Sequence, residues 1–382
     1  MVRMLESLAE KRSQYFAKIV GTHRQGERQR QRLVVITHLL SDRPEFLAAL
    51  ASLCKVSLIV AIPYSTHLET LHLLRSTYDV LTPTTAQLSD PTWLGGVAQQ
   101  ATGSAPFLAL EIGGYFAEAL RVGGAKITGV VEDTEAGHRR YEQVQPLPCP
   151  VFSVARSTLK EPEDVMVGAS CLFSTETILR NAGAPLEARS ALVIGYGRVG
   201  RGLARALQSR NCRVMVRDSS PVKEALAVAD GCAIVGFADA LSEADIVFGA
   251  TGSCSVGDAE YSKLKRGAIL VSCSSRTVEF NLPALLSRFP ERRMLISGLE
   301  QYSNASQCVY LLAGGTPVNF RDGAVIGPLL SLVQGEILHA VGLLLDSHEP
   351  GLHEVSASDR ATIARQWIET FIDPRTGFYQ QR

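Results

Sequence analysis

Residues 192–207, with the sequence LVIGYGRVGRGLARAL, carry the strongest signal of fold class in this chain. They join a short apolar run to a helix-like pattern through a glycine-rich turn. The turn consists of Gly195, Tyr196, Gly197, Arg198, Val199 and Gly200. Between a strand and a helix, the first glycine permits a tight turn, the second lets backbone approach a pyrophosphate, and the third lets helix pack on strand. Phosphate oxygens would face the amides that open the helix. The stretch predicts a dinucleotide-binding turn; a plain glycine-rich turn is the alternative.

A carboxylate follows the next predicted strand. The run RVMVR at residues 213–217 is followed by Asp218, where a carboxylate can accept hydrogen bonds from the ribose hydroxyls of adenosine. This acid favours NAD over NADP, because a 2′-phosphate would meet like charge. Arg217 could instead accommodate that phosphate, and Asp218 could be only a turn residue.

Small residues follow a third predicted strand, at residues 244–250. Ala250, Thr251 and Gly252 provide an edge where a dinucleotide could lie close to backbone. The same residues could equally form an ordinary strand-to-helix turn.

Short apolar runs alternate with longer mixed segments along the chain, a pattern typical of parallel sheets covered by helices on both faces. The predicted strands are residues 33–37, 56–62, 107–112, 126–132, 191–195, 213–217, 244–250 and 268–272. The pattern predicts an α/β fold class with two doubly wound, Rossmann-like parallel-sheet domains joined by hinge helices, including a long helix at 165–181. The predicted domains are a substrate domain at 1–165 to which 328–352 returns, an NAD-binding domain at 166–327, and a C-terminal helix and tail at 353–382.

Composition narrows the classes of function. The 382 residues carry 38 Lys and Arg against 38 Asp and Glu, and 46% are hydrophobic. A neutral chain has no general field that draws it onto nucleic acid or anionic lipid. No apolar run is long enough to span a bilayer, and the charged start is unlike a signal peptide. Neither the eight cysteines nor the eight histidines show metal-ligand spacing. We expect a cytoplasmic protein with a small-molecule partner, no metal, no nucleic acid and no membrane.

Motifs on both sides of the glycine turn resemble the S-adenosyl-L-homocysteine hydrolases. The cofactor half is similar in residues 192–207, in Asp218 and in LLAGGTPVNF at 311–320. The other half is similar in GVVEDTEAG at 129–137 and SVARSTLKEPEDVMVG at 153–168. The resemblance implies NAD that oxidises a nucleoside hydroxyl and is regenerated within one turnover. It also implies a homo-oligomer, a dimer or a tetramer.

The resemblance also implies roles for particular residues. Lys160 matches a lysine that helps to remove the hydroxyl proton, Asp164 its aspartate partner, and His38 an acid–base histidine at the leaving group. The remaining matches are Asp133 for a glutamate that touches the sugar, Thr134 for a threonine near the nicotinamide, and Asn319 for an asparagine near substrate and nicotinamide. A partly desolvated lysine that faces a cationic nicotinamide would have a lowered pKa, which suits a base.

Several family positions are substituted. The residues that replace the family's acids, asparagines, cysteine, histidine and threonines are Ile112, Tyr115, Glu135, Ala136, Ala155, Val165, Ala169 and Ser275. In the family, these positions serve substrate recognition and the elimination step. We therefore expect a divergent NAD-dependent enzyme that oxidises a secondary hydroxyl of a nucleoside or related molecule, with elimination or hydrolysis as further steps, and not ordinary S-adenosylhomocysteine hydrolysis. A non-catalytic NAD-binding regulatory relative is the alternative. A 2-hydroxyacid dehydrogenase fits less well, because the expected arginine and histidine–acid set has no match at the strand ends.

Overall fold

The structure is a computed structural model that describes residues 2–23, 31–122, 126–346, 348–377 and 379. Residues 378 and 380–382 of the predicted C-terminal tail lie outside the described residues. The chain divides into two compact units, the first formed by residues 1–161 and 327–382 and the second by residues 162–326. Among the described residues, no helix combines the length and apolar character that crossing a bilayer requires.

Strands and helices alternate through most of both units. The strands are β1 (Arg32–Leu39), β2 (Lys55–Thr66), β3 (Val80–Leu81), β4 (Phe107–Glu111), β5 (Ile127–Glu132), β6 (Pro150–Ser153), β7 (Ser190–Ile194), β8 (Arg213–Arg217), β9 (Ala233–Ile234), β10 (Ile246–Gly249), β11 (Ile269–Ser272), β12 (Glu291–Ile296), β13 (Leu299–Ser303), β14 (Cys308–Leu312) and β15 (Gly351–His353). The helices are α1 (Val2–Gly21), α2 (Arg43–Leu53), α3 (Leu68–Arg75), α4 (Thr85–Leu88), α5 (Pro91–Ala101), α6 (Ala117–Val122), α7 (Glu135–Gln143), α8 (Glu161–Asn181), α9 (Arg198–Gln208), α10 (Pro221–Ala229), α11 (Phe237–Glu243), α12 (Asp258–Tyr261), α13 (Leu282–Arg288), α14 (Leu329–Leu344) and α15 (Ala357–Phe371). Two short 3₁₀ helices are Ala313–Gly315 and Val318–Asp322.

The first unit has a parallel sheet with strand order β15-β6-β5-β4-β1-β2-β3. Alternate residues of β1 enter different cores: Leu33 and Val35 belong to one apolar cluster, and Val34 and Ile36 to another. Both faces of the sheet are therefore buried, as a doubly wound fold requires. The strand order reverses direction between β1 and β4, and ligands of such sheets bind at the carboxyl ends of the strands at that point.

The second unit has the order β12-β13-β14-β11-β10-β7-β8-β9. From β14 to β9 the neighbouring strands are parallel, and the order reverses between β7 and β10. In β7, Ala191 and Val193 pack on one face and Leu192 and Ile194 on the other. The prediction of an α/β protein with two Rossmann-like parallel sheets is confirmed.

Strands β3, β6, β9 and β15 have no counterpart among the predicted strands, and the structure differs from the prediction in two further places. Strands β12 and β13 add an antiparallel pair at one edge of the second sheet; β12, with the sequence ERRMLI, is mostly exposed and lacks the apolar pattern of the central strands. Helix α8 begins at Glu161, ahead of the predicted start at residue 165. Pro162 is accommodated because the first turn of a helix needs no amide donor there.

Candidate functional site

The glycine-rich turn closes tightly after β7. Gly195 has φ +96°, and a Cβ added to it would lie 2.6 Å from the carbonyl oxygen of Ala250. A Cβ on Gly200 would lie 1.9 Å from the carbonyl oxygen of Gly195. Both positions therefore require glycine, the first for its backbone conformation and the second for close packing of α9 on the turn.

Gly197 is different, because the space in front of it is open. Its φ is −71°, which any residue can adopt, and it is the N-cap of α9 without a side-chain cap. In the described part of the chain, no atom lies within 4 Å of a Cβ added there. The first amides of a helix lack intrahelical acceptors and lie at the positive end of its dipole. An open, uncapped helix start behind glycine fits the diphosphate of a dinucleotide.

Asp218 lies beside this turn. Its Oδ2 accepts a hydrogen bond from the backbone N–H of Tyr196 at 2.7 Å, and its Oδ1 accepts one from Ser220 at 2.8 Å. The carboxylate thus ties the end of β8 to the glycine turn. Arg217 pairs with Glu224 at 3.1 Å, so its guanidinium is already engaged with an acid. This pairing favours a cofactor without a 2′-phosphate.

The loop of Ala250, Thr251 and Gly252 is held by a residue that the sequence analysis missed. Glu279 is buried, and its Oε1 accepts hydrogen bonds from the backbone N–H groups of Thr251 at 2.9 Å and Gly252 at 2.7 Å. Its Oε2 accepts from the hydroxyls of Thr251 and Ser255. Burial raises the pKa of Glu279. A lone glutamate in the run TVEFN carries no sequence signal for this contact, because its partners lie more than twenty residues earlier.

We expect Glu279→Ala to lower the free energy of unfolding by about 1–3 kcal/mol, because the amides of Thr251 and Gly252 and the buried hydroxyl of Ser255 lose their acceptor. It should also weaken NAD binding, since the loop that carries Thr251 would lose its anchor. Chemical denaturation and titration calorimetry with NAD measure the two effects. The control is Glu243→Ala, which removes only an exposed ion pair with Arg213. If Glu279→Ala and this control have the same free energy of unfolding, Glu279 does not hold the loop.

The other residues predicted to bind cofactor fall in different places. Arg198 approaches Asp164, with Nη1 at 3.5 Å from Oδ2, and Val199 packs against an apolar core of the second unit. Asn319 is buried in a 3₁₀ helix of the same unit. Thr134 belongs to the first unit, where it caps α7 by accepting from the N–H of Gly137 at 3.0 Å.

In the first unit, the predicted catalytic residues lie at the carboxyl ends of the strands. Asp133 follows β5, and Lys160 follows β6 after a short turn. Lys160 Nζ lies 2.9 Å from Asp133 Oδ1, and the two side chains are only 9% and 16% exposed. The carboxylate of Asp133 therefore lies beside the Lys160 ammonium, and the pairing of Lys160 with Asp164 that the resemblance implies stays a prediction. Asp164 belongs to the second unit.

His38 lies near the end of β1, beside Ser65 of β2. Its Nδ1 is within hydrogen-bond distance of the Ser65 hydroxyl. Burial, with the nearby cations Arg43 and Lys160, lowers the pKa of His38 to about 3. The imidazole is therefore neutral at physiological pH and can accept a proton. We define His38, Ser65, Asp133 and Lys160 as the acid–base cluster.

The neutral state of His38 predicts a pH-dependent stability. Below pH 6.5, its ordinary pKa, the unfolded chain binds a proton that the folded chain does not bind until pH falls to about 3. The free energy of unfolding should therefore fall as pH decreases through this window, with a His38 share of about 2 kcal/mol at pH 5. Urea unfolding at pH 7.5 and pH 5 measures the loss, which His38→Gln should reduce by that amount. If His38→Gln lost as much free energy of unfolding between pH 7.5 and pH 5 as the wild type, His38 would not be the group responsible.

Two buried carboxyl groups, Glu111 and Glu132, support this edge of the sheet and were not identified as a pair from the sequence. Glu132 accepts hydrogen bonds from the backbone N–H groups of Gly113 at 2.9 Å and Gly114 at 2.8 Å, and from the hydroxyl of Thr134 at 2.7 Å. Burial and the neighbouring Glu111 raise the pKa of Glu132. The pair fixes the loops that follow β4 and β5, and so the position of Asp133.

The chain is similar in sequence to a family of known proteins. Residues 171–324 match the family model described as S-adenosyl-L-homocysteine hydrolase, NAD binding domain. The chain is 32% identical to the adenosylhomocysteinase of Sulfolobus acidocaldarius over 200 residues, which are 51% of this chain and 48% of that protein. It is 25% identical to the S-inosyl-L-homocysteine hydrolase of Methanothermobacter thermautotrophicus over 252 residues, or 64% of this chain and 60% of that protein. The match thus spans about half the length of such relatives. Among solved structures, a glyoxylate reductase from Paecilomyes thermophila aligns with 81% of this chain and 95% of its own, at 14% identity and a TM-score of 0.42.

Proposed function

Because the chain is a divergent member of the S-adenosyl-L-homocysteine hydrolase family and its second unit binds NAD, we propose that it oxidises a secondary hydroxyl of a nucleoside or a related small molecule. The observation that carries this proposal is the acid–base cluster of the first unit. It combines a lysine–aspartate ion pair with a neutral histidine at the carboxyl ends of neighbouring strands. Small-molecule sites of doubly wound sheets are found at this end.

Three members of the cluster, Lys160, Asp133 and His38, have a chemical task in this proposal. NAD, when bound, supplies the acceptor for the hydride of the substrate carbinol. Lys160, after it releases one proton to solvent and becomes a neutral amine, accepts the proton of the hydroxyl group. Asp133 orients the amine and stabilises the ammonium that forms, since its Oδ1 lies 2.9 Å from Nζ. His38 can accept or return a second proton, because it is neutral before substrate binds.

Residues at this same edge of the first sheet support a substrate, or later reaction steps, that differ from those of the family. The residue in the family's aspartate position is Ile112, which packs against an apolar core. The adjacent carboxyl group, Glu111, is 0% exposed and accepts hydrogen bonds from the backbone of Tyr115 and Phe116 and from the Tyr141 hydroxyl. Glu111 is therefore a structural acceptor in the interior. This arrangement supports oxidation more strongly than hydrolysis of S-adenosylhomocysteine.

The second candidate function is a regulatory protein that binds NAD without turnover. The apolar Ile112 favours it, because a family acid is missing beside the proposed substrate. In this case the acid–base cluster would be a structural ion pair, and bound NAD would control shape or partner binding.

A direct experiment separates the two functions. The purified full chain is first assayed for bound NAD by denaturation and enzymatic cycling. Adenosine, inosine, S-adenosylhomocysteine and S-inosylhomocysteine are then added, and the absorbance of NADH is followed. Formation of NADH with one of these nucleosides supports the enzyme. A fully loaded protein whose NAD is reduced by none of them, nor by a wider panel of sugar alcohols, contradicts it and favours the regulatory function.

A further inference from the structure

Ser65 has no role in the proposed chemistry, yet it contacts the one neutral base of the acid–base cluster. It lies near the end of β2, and only 3% of it is exposed. Its hydroxyl is within hydrogen-bond distance of both His38 Nδ1 and, at 3.3 Å, the carbonyl oxygen of Ile62. A hydroxyl has a single proton, so it can donate to one of these groups and must accept from the other.

The Ile62 carbonyl settles the direction of donation. A carbonyl oxygen can only accept, so its contact with Ser65 uses the hydroxyl proton. Thr66 donates to the same oxygen at 2.9 Å, which fills its second lone pair. The Ser65 oxygen is then the acceptor towards the imidazole, and Nδ1 must carry the hydrogen.

We infer that Ser65 is a positioning residue that holds His38 as the Nδ1–H tautomer and so presents Nε2 as a proton acceptor. The use of Nε2 in catalysis rests on the proposed function, whereas the tautomer is a property of the free protein. The charged groups near the ring agree with this state. Arg43 and Lys160 are cations that favour a neutral ring, while Asp42 pairs with Arg43 and Asp133 with Lys160.

His138 provides an internal control with the same type of contact and the opposite expectation. Its Nδ1 lies 2.9 Å from the Ser153 hydroxyl, but its Nε2 lies 3.2 Å from a carboxylate oxygen of Glu142. Arg156 donates to Glu142 and lowers its pKa, so this carboxylate is ionised and can only accept. The neutral form of His138 must then carry its hydrogen on Nε2.

Nitrogen NMR of the full chain reads both tautomers without substrate. The protein is labelled with ¹⁵N in its histidine rings, and two-bond ¹H–¹⁵N spectra are recorded at pH 8, with signals assigned through His38→Gln and His138→Gln. We expect His38 to carry its hydrogen on Nδ1, with Nε2 unprotonated, and His138 to carry its hydrogen on Nε2. A wild-type His38 that is protonated on Nε2 overturns the inference.

The variants Ser65→Ala and Ser65→Thr test whether the serine causes the tautomer. Alanine should abolish the protonated Nδ1 signal of His38 and leave His138 unchanged, and threonine should restore the wild-type pattern. Retention of the Nδ1–H signal in folded Ser65→Ala would overturn the role of Ser65. Because these spectra need no turnover, they can support the tautomer even if every nucleoside fails to reduce bound NAD, which would count against the proposed function alone.

Discussion

Replacing Gly197 with alanine is expected to weaken NAD binding about 10- to 100-fold without loss of stability. The backbone of Gly197 is compatible with alanine, and the space in front of it is open in the described structure. A methyl group would therefore cost the free protein little, but it would occupy the place of the diphosphate. Overpacking of this kind costs about 1–3 kcal/mol, which corresponds to that range of affinity. Titration calorimetry and thermal unfolding measure the two quantities.

Gly200→Ala is the matched control within the same turn. Its Cβ would lie 1.9 Å from the Gly195 carbonyl oxygen, a backbone atom that cannot move without opening the turn. We expect this variant to lose both NAD binding and stability, with a marked decrease in melting temperature. If Gly197→Ala also unfolds early, or if it binds NAD as well as the wild type, the open space before α9 is not the diphosphate site.

Replacing Lys160 with methionine is expected to slow NADH formation by about 10²- to 10⁴-fold, the usual contribution of a general base. The methionine side chain keeps the apolar stem of lysine but has no group that accepts the hydroxyl proton. The NAD content should be unchanged, because the glycine turn belongs to the other unit. Rapid-mixing absorbance with a nucleoside that reduces the bound NAD measures the rate.

Lys160→Arg separates the base from its charge. An arginine can preserve the ion pair with Asp133, but its guanidinium stays protonated and cannot act as a base. We expect the arginine variant to be as slow as the methionine variant while it keeps the stability of the wild type. Rapid NADH formation in either variant would show that another group removes the proton.

The cofactor half of the molecule could be predicted well from the sequence, because its signal is local. Three glycines within six residues, between an apolar run and a helix pattern, define a turn whose geometry follows from sterics alone. Asp218 follows the next strand and accepts a hydrogen bond from the backbone of Tyr196 in the turn, while its contact with the ribose stays a prediction. NAD as cofactor is confirmed by the family match of residues 171–324.

The acid–base cluster was predicted less completely. The family resemblance singled out Lys160, His38 and Asp133, and it implied Asp164 as the partner of Lys160. The structure places the Asp133 carboxylate at the ammonium, and the pairing with Asp164 stays a prediction. Ser65 was missed entirely, since its contact with His38 joins residues 27 positions apart.

The alternation of strands and helices and the nucleotide turn follow from local sequence, because both depend on neighbouring residues and on backbone sterics. Which charges pair, and which carboxyl groups are buried as acceptors, depends on how the chain folds in three dimensions. Examples are Glu279, which accepts a hydrogen bond from the backbone of Thr251, and Glu132, which accepts one from the backbone of Gly113. Parallel strands bring the ends of distant segments to one edge of a sheet, and no local pattern encodes which side chains meet there.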